Sequence, residues 1–344
     1  MRDGIFFVCE SLGGLNLAAR MVSQFNFNCP TYVFLPEKLL KSNFDMVLSF
    51  DFYTANPQTI PGILQWIKLV ILGAHESTPH CRISNAVGYL AKATNTSHVS
   101  IQHGWIQPGL NFKTNTPNID YKGINTDNSQ SLFHFSRVIR FFGKDGIGYP
   151  SPEIKTAESL SHRNRCIVAT NFNWGVYSTE DIATFCDCVA GVRLEYPDAK
   201  MVHRPHPAER SQGINDEFVK LCTEIGMEDT SDCPGSEKLD WPDLVVSTPS
   251  TIVLDYISTG VHTVVYAPHI FKSHISELQL EIVSFKDLES LRSALKVEMA
   301  AVKEKILPFP SDAFAGQISA LYGANNEYML DENIFARYFE LLKV

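Results

Sequence analysis

Short apolar runs alternate with amphipathic stretches along nearly the whole chain. Runs of strand length followed by segments with helical spacing predict α/β layers built on parallel sheets. The predicted strands are Ile5–Cys9, Thr31–Leu35, Met46–Phe50, Ile67–Leu72, His98–Gln102, Val138–Phe142, Cys166–Thr170, Lys200–His203, Leu244–Ser247 and His262–Tyr266. The predicted helices are Leu15–Gln24, Ile83–Ala93, Ser178–Tyr196 with Ser178 as N-cap, Pro249–Ser258, Leu288–Lys305 and Glu332–Leu342.

A segment rich in proline and polar residues divides this series in two. It runs from Gly148 to Arg165, and a second α/β series follows it. A chain of 344 residues is long enough for two domains of ordinary size. We therefore predict an N-terminal Rossmann-like domain over 1–150, a C-terminal Rossmann-like domain over 151–330 and a C-terminal helix over 331–344.

Charge and hydropathy narrow the class of partner. The net charge of −9 argues against a nucleic-acid binder, so any positive field must be local to a site. No apolar run reaches the roughly 18 residues of a membrane span, and the N-terminus enters a strand directly, without the pattern of a signal peptide. We expect a cytoplasmic protein with a small ligand.

The first loop that could bind a phosphate follows the predicted strand Lys200–His203. Its sequence is Arg204-Pro205-His206-Pro207, in which the prolines stiffen the backbone and fix the directions of the arginine and the histidine. Arginine can bind a phosphate through paired hydrogen bonds. The alternative is a stiff surface turn, and His203 itself is expected to pack beneath the loop.

The second candidate loop follows the strand Leu244–Ser247. Hydroxyls crowd the start of the next helix, with Thr248 as the expected cap and Pro249 as the first helical residue. A helix N-terminus with adjacent hydroxyls is an anion site, and an acidic residue one turn further could accept a ribose hydroxyl. The alternative is a capped helix whose hydroxyls bond only to its own backbone. The candidates for binding the phosphate-bearing ligand, here named the donor-side candidates, are Arg204, His206, Ser247, Thr248, Ser250, Thr251 and Asp255.

Two loops of the N-terminal half could bind a second substrate that accepts the transferred group. Their residues Gly13, Gly14, Gln102, His103 and Gly104 are here named the acceptor-side candidates. Gln102-His103-Gly104 follows a predicted strand, and ligands of open α/β sheets bind at that end of the strands. A histidine there can remove a proton from a hydroxyl near neutral pH, whereas the alternative is a structural histidine. Gly13 and Gly14 form a glycine turn after the first strand, either close-packed or open to an acceptor.

The chain lacks the features of a bound metal. The Asp-x-Asp motif that holds a metal against a diphosphate is absent, and no His, Cys and Asp cluster has ligand spacing. We therefore expect neither a metal nor another cofactor. Cationic side chains and helix dipoles are expected to neutralise a leaving phosphate.

These loops, in this order, give the chain a resemblance to a known group. Gln102–Gly104, Arg204–Pro207 and Ser247–Asp255 resemble the His-Gly, His-Pro and Ser/Thr motifs of bacterial GT-B transferases. That group contains CDP-glycerol glycerophosphotransferases and capsule Kdo and sialic-acid transferases. The resemblance covers roughly residues 98–270. It implies a GT-B fold, with two Rossmann-like domains that face each other across a cleft.

The resemblance also implies an activity. The chain is expected to use a CMP- or CDP-linked donor and a glycan or lipid-linked acceptor to extend a bacterial surface polysaccharide. His103 would be the base, and the acceptor would bring the protein into peripheral contact with the inner membrane. The alternatives are a teichoic-type CDP-alditol phosphotransferase, a GT-B-fold UDP-sugar epimerase and a non-catalytic protein that binds nucleotide sugars.

Overall fold

The chain divides into two α/β units. The computed structural model describes residues 2–73, 82–101, 110–111, 116–117, 137–139, 148–152, 165–172, 177–206, 209, 213, 215–229, 243–268, 280–306, 309–323, 328–329 and 331–343. The first unit comprises Met1–Pro150 together with Leu307–Val344, and the second comprises Ser151–Ile306. Among the described residues, no helix is long and apolar enough to cross a membrane.

The first unit is built on a parallel sheet. Its strands lie in the order β3-β2-β1-β4-β5-β8, and β6 and β7 form a separate antiparallel pair. The bounds are β1 Gly4–Val8, β2 Thr31–Phe34, β3 Phe52–Thr54, β4 Ile67–Leu72, β5 Ser97–Ile101, β6 Leu110–Asn111, β7 Thr116–Pro117 and β8 Arg137–Ile139.

The second unit repeats that arrangement with different residues. Its parallel strands lie in the order β11-β10-β9-β12-β13-β14. The bounds are β9 Arg165–Thr170, β10 Lys200–Pro205, β11 Glu228–Asp229, β12 Leu244–Ser247, β13 His262–Tyr266 and β14 Ser284–Phe285. In both sheets the strand order reverses beside the first strand of the unit, which is the switch point where open α/β sheets bind ligands.

Helices cover these sheets. In the first unit they are α1 Leu12–Gln24, α2 Glu37–Ser42, α3 Phe44–Val47, α4 Ile60–Leu64, α5 Arg82–Ala93, α11 Asp312–Gly323 and α12 Glu332–Lys343. In the second unit they are α6 Thr179–Glu195, α7 Asp216–Glu224, α8 Thr251–Ser258, α9 Leu288–Ala294 and α10 Met299–Lys303. The prediction of Ser178 as an N-cap is confirmed, since its hydroxyl and the carboxylate of Asp181 form a capping box at the start of α6.

Two elements predicted from the sequence are wrong. The strand predicted at Met46–Phe50 is α3 and the turn after it, where Val47 and Phe50 are buried and Leu48 between them is exposed. Val47 and Phe50 are three residues apart, which places them on one side of a helix. In so short an apolar run this spacing is not distinguished from that of a strand. The single helix predicted over Leu288–Lys305 is α9 and α10, separated by a turn whose hydrogen bonds span three residues.

The C-terminal residues pack on the first unit. Residues 307–330, which the sequence placed in the second domain, belong with Met1–Pro150, as does α12. Tyr338 of α12 is fully buried against α5, and its hydroxyl donates to the carbonyl of Pro57 at 2.7 Å. Phe314 of α11 packs edge-on against Phe25, with the ring centroids 4.9 Å apart. The apolar faces of both helices therefore complete the first core.

Substitution at Tyr338 tests this assignment. Because the ring is fully buried, Tyr338→Ala should cost about 3–5 kcal/mol of unfolding free energy. Tyr338→Phe removes only the hydrogen bond and should cost about 1 kcal/mol. Urea unfolding measures the loss of unfolding free energy. Native-state hydrogen exchange should then show that the strands of the first unit are the ones that lose protection. A loss confined to the second unit would contradict the assignment.

Candidate functional site

The carboxyl edge of the second sheet gathers the donor-side candidates. Arg204 lies opposite Ala169 on β9, and Ala169 lies opposite Ser247 on β12. Side chains alternate along a strand, so these three residues share one face of the sheet. Two residues further on, the same alternation places Asn171 after β9 and His206 after β10 on that face, at the point where both strands end.

Arg204 contacts the helix that follows β12. Its half-buried side chain lies near the hydroxyl of Tyr256 on α8, close enough for the guanidinium to lower the pKa of that hydroxyl. Tyr256 is fully buried, and burial raises the pKa of its hydroxyl, while the nearby guanidinium partly offsets that rise. Asp255 precedes it on α8 and is 9% exposed. The structure thus places Arg204 near α8, the helix that follows the hydroxyl loop.

His203 is a packed residue, as expected from the sequence. It is 2% exposed, and its ring lies against Phe218 of α7 with the centroids 4.8 Å apart. Its Nε2 atom lies 2.8 Å from the hydroxyl oxygen of Thr170. Since the single proton of that hydroxyl is donated to Glu209, Nε2 of His203 is the donor in this pair.

Glu209 is the residue that sequence analysis missed. Its carboxylate is fully buried and accepts hydrogen bonds from the Thr170 hydroxyl at 2.8 Å, the Phe172 amide at 2.7 Å and the His206 amide at 3.1 Å. Burial raises the pKa of this carboxyl, although the three hydrogen bonds oppose the rise. Its only signal in the sequence is its position three residues after His206, shortly after Pro205 and Pro207. Glu209 fixes the backbone after β9 and β10 in one arrangement.

The hydroxyl loop after β12 differs from the expected one in detail. Helix α8 begins at Thr251 and Ser250 is its N-cap, so the predicted cap at Thr248 and the predicted first turn at Pro249 are wrong. Ser250 has extended backbone angles, and no side chain among the described residues caps the helix. Ser247 is fully buried, and its hydroxyl donates to the Thr248 carbonyl at 2.6 Å. Ser250 and Thr251 are half-buried.

Two polar side chains at this edge are buried without a partner. Thr248 is 0% exposed and Asn171 is 1% exposed. Within the described part of the chain, neither the Thr248 hydroxyl nor the oxygen and nitrogen of the Asn171 amide makes a hydrogen bond. Such a group costs about 1–3 kcal/mol when it stays unpaired. Unpaired groups of this kind call for a ligand or a bound water as partner.

Only some of the acceptor-side candidates lie among the residues that the structure describes. Gln102, His103 and Gly104 lie outside the described residues. Gly14 is buried in the first turn of α1, where its amide donates to the Ser11 hydroxyl at 3.1 Å, whereas Gly13 is exposed. A Cβ at Gly14 would lie 3.4 Å from the carbonyl oxygen of Gly73, so the turn is closely packed against the end of β4.

The first unit caps the helix that corresponds to α8. Helix α5 follows β4 as α8 follows β12, and Glu10, after β1, accepts hydrogen bonds from the amides of Ile83 at 2.9 Å and Ser84 at 2.7 Å. A carboxylate therefore occupies the N-terminus of α5. Sequence analysis missed this cap, because the residues it joins are far apart in the chain.

The described residues also bear on metal binding. They contain no group of three or more His, Cys, Asp or Glu side chains that could hold a metal ion.

Exchange of Glu209 should change the pH dependence of stability. A carboxyl whose pKa is raised by folding contributes stability at low pH that is lost as the pH rises through the folded pKa. Glu209→Gln should therefore cost more unfolding free energy near about pH 4 than near about pH 7. Urea titrations across this range measure the difference, and Glu217→Gln at an exposed position is the control. An equal cost at every pH would show that the pKa of Glu209 is not raised.

Comparison with known proteins identifies the fold of the chain, but not its family or its activity. No protein-family model matches the chain, and no curated protein matches it. A solved structure from Listeria monocytogenes, assigned as a UDP-N-acetylglucosamine 2-epimerase, is similar with a TM-score of 0.56 at 11% identity, over 96% of this chain and 99% of that one.

Two further structures give the same result. The Neisseria meningitidis UDP-GlcNAc 2-epimerase bound to UDP-GlcNAc has a TM-score of 0.55 at 12% identity, over 94% of this chain and 100% of its own. S. aureus MnaA, solved with UDP, has a TM-score of 0.53 at 10% identity, over 93% and 95%. With its two parallel-sheet α/β units, the chain has the GT-B fold.

Proposed function

We propose that this chain is a glycosyltransferase that binds the phosphate of a nucleotide-activated sugar at the carboxyl edge of its second sheet. One observation carries the proposal. Of the two corresponding helices at the switch points, α5 holds the carboxylate of Glu10 at its N-terminus, whereas no described side chain caps α8. An anionic ligand at α8 would fill the position that a protein carboxylate fills at α5.

The electrostatics at α8 suit such a ligand. The N-terminus of a helix carries a partial positive charge and unpaired backbone amides, and both attract an anion. Arg204 adds a full positive charge from β10, near Tyr256 of α8. The absence of acidic residues from the first turn of α8 removes a competing negative charge.

The fold supports a nucleotide sugar as the source of that phosphate. Two of the similar structures are described with UDP or UDP-GlcNAc bound. Those names are the reason to test UDP beside the CMP and CDP that the sequence motifs suggest. The proposed donor is linked to UDP, CMP or CDP.

The proposed mechanism uses side chains and no metal. Arg204, His206, Ser250 and Thr251 stabilise the phosphate as its bond to the anomeric carbon breaks, while Asp255 orients the donor. His103 removes the proton from the acceptor hydroxyl, whose oxygen forms the new bond to that carbon. Stabilisation of the developing charge is the larger contribution, and proton removal adds about a hundred- to ten-thousand-fold. The proposed acceptor is a growing glycan or a lipid-linked glycan of the bacterial surface.

A UDP-sugar epimerase is the second candidate, and the similar epimerase structures favour it. An epimerase moves a proton at a sugar carbon and needs acidic or basic groups beside it. Incubation of the enzyme with UDP-N-acetylglucosamine in D2O separates the two activities. Deuterium at a sugar carbon without an acceptor would select the epimerase, and a new glycosidic bond would select the transferase.

Substitution of Thr248 tests the anion site, because the stability of the free protein should stay level or rise while its affinity for the nucleotide should fall. Thr248→Val removes a hydroxyl that has no described partner, so the free protein should be as stable or up to about 1 kcal/mol more stable. The nucleotide that binds the wild type, found by calorimetry with UDP, CDP, CMP and GDP, should bind the variant about tenfold more weakly, equivalent to about 1.4 kcal/mol.

Thr263→Val on β13 is the matched control. Thr263 is equally buried, but its hydroxyl donates to the carbonyl of Val261 at 3.0 Å. This variant should lose about 1 kcal/mol of stability and keep its nucleotide affinity. If no nucleotide binds the wild type, the proposed function is wrong.

The two histidines should separate binding from turnover. His103→Ala should nearly abolish transfer and change donor affinity by only a few fold, because a base acts on the acceptor. His206→Ala should weaken donor binding itself. Calorimetry and a transfer assay with the identified nucleotide sugar measure both effects. Unchanged binding and turnover in both variants would refute the site, and binding without any turnover in the wild type would indicate a non-catalytic protein.

A further inference from the structure

Asn171 occupies the centre of the proposed site, although no sequence motif drew attention to it. It directly follows β9, the strand between β10 and β12 at the switch point. The His206 amide donates to the Thr170 carbonyl at 2.9 Å, which continues the pairing of β9 with β10 beyond their ends. By this register Asn171 lies beside His206, on the face that carries Arg204.

The backbone on both sides of Asn171 is held firmly. Glu209 accepts from the Phe172 amide on one side and from the Thr170 hydroxyl on the other. The side chain between them is 1% exposed, and neither of its amide atoms has a hydrogen-bond partner among the described residues. A fixed, buried and unpaired amide is costly in the free protein, and its cost falls when a ligand pairs with it.

The chemistry of the amide restricts the ligand group. Its oxygen only accepts hydrogen bonds and its nitrogen only donates them. A phosphate oxygen accepts but does not donate, so it would leave the amide oxygen of Asn171 unpaired. A hydroxyl, or the amide-like edge of a base, satisfies both atoms.

We infer that Asn171 is a specificity-determining residue that binds a hydroxyl or amide edge of the ligand, while Arg204 and α8 bind its phosphate. The inference rests on the proposed function and adds a division of the site to it. The group that Asn171 binds belongs either to the nucleoside or to the transferred sugar. Both sources offer the same chemistry, and the choice of probes separates them.

Calorimetric titration of Asn171→Leu with four probes tests the inference. The probes are inorganic pyrophosphate, UDP, CDP and UDP-N-acetylglucosamine. We expect at least a tenfold loss of affinity for the nucleotide probe that the wild type binds, and less than a twofold change for pyrophosphate. A loss already present with the nucleoside diphosphate assigns the contact to the nucleoside. A loss seen only with the nucleotide sugar assigns it to the sugar.

The melting temperature of the ligand-free variant supplies the second readout. Leucine has nearly the shape of asparagine and removes the unpaired groups, so the melting temperature should stay level or rise. Asn43→Leu in the first unit is the control, because the Asn43 amide donates to the Leu39 carbonyl at 3.0 Å. That variant should melt lower and keep its affinity for every probe.

Three results would overturn the inference. Unchanged affinity of Asn171→Leu for all probes would show that water, and not the ligand, pairs with the amide. An equal loss for pyrophosphate and for the nucleotide would place the phosphate on Asn171. A lower melting temperature with unchanged binding would make Asn171 structural. Each of these leaves the proposed function standing, whereas a wild type that binds neither these probes nor CMP or GDP removes both.

Discussion

The buried carboxylate of Glu209 is the interaction on which the second sheet edge depends. It lies after β10 yet bonds to the side chain of Thr170 and the amide of Phe172 after β9, and to the amide of His206 in its own loop. A carboxylate removed from water is costly, and hydrogen bonds from fixed donors are what make its burial tolerable. The backbone that carries Asn171 and His206 is therefore held by one group, which bonds to the Thr170 hydroxyl and to two backbone amides.

The two units use one topology for two purposes. Both sheets have the same strand order, so each places a loop from its first strand next to the helix after its fourth. In the first unit that loop supplies Glu10, which satisfies the start of α5 within the protein. In the second unit the corresponding loop supplies a neutral amide with no described partner, and α8 starts without a described side-chain cap. The same framework thus carries a carboxylate cap in one unit and no described side-chain cap in the other.

The sequence predicted the fold well wherever local pattern determines structure. The bounds of β4, β12 and β13 agree with the predicted strands, because short apolar runs between turns have few alternatives. Met46–Phe50 was misassigned because helical and strand spacing overlap in so short a run. The roles of Glu209 and Glu10 could not be predicted, since their partners are distant in sequence and meet only through strand register. Asn171 was missed because an asparagine after a strand is typical of a turn.

The return of residues 307–344 to the first unit makes the second unit an insertion within the first. During synthesis, the ribosome completes the inserted unit while the earlier unit still lacks α11 and α12. Phe25 and the apolar face of α5 stay without their partners Phe314 and Tyr338 until α11 and α12 have been synthesised. The inserted unit can thus reach its native state before the core of the first unit is complete.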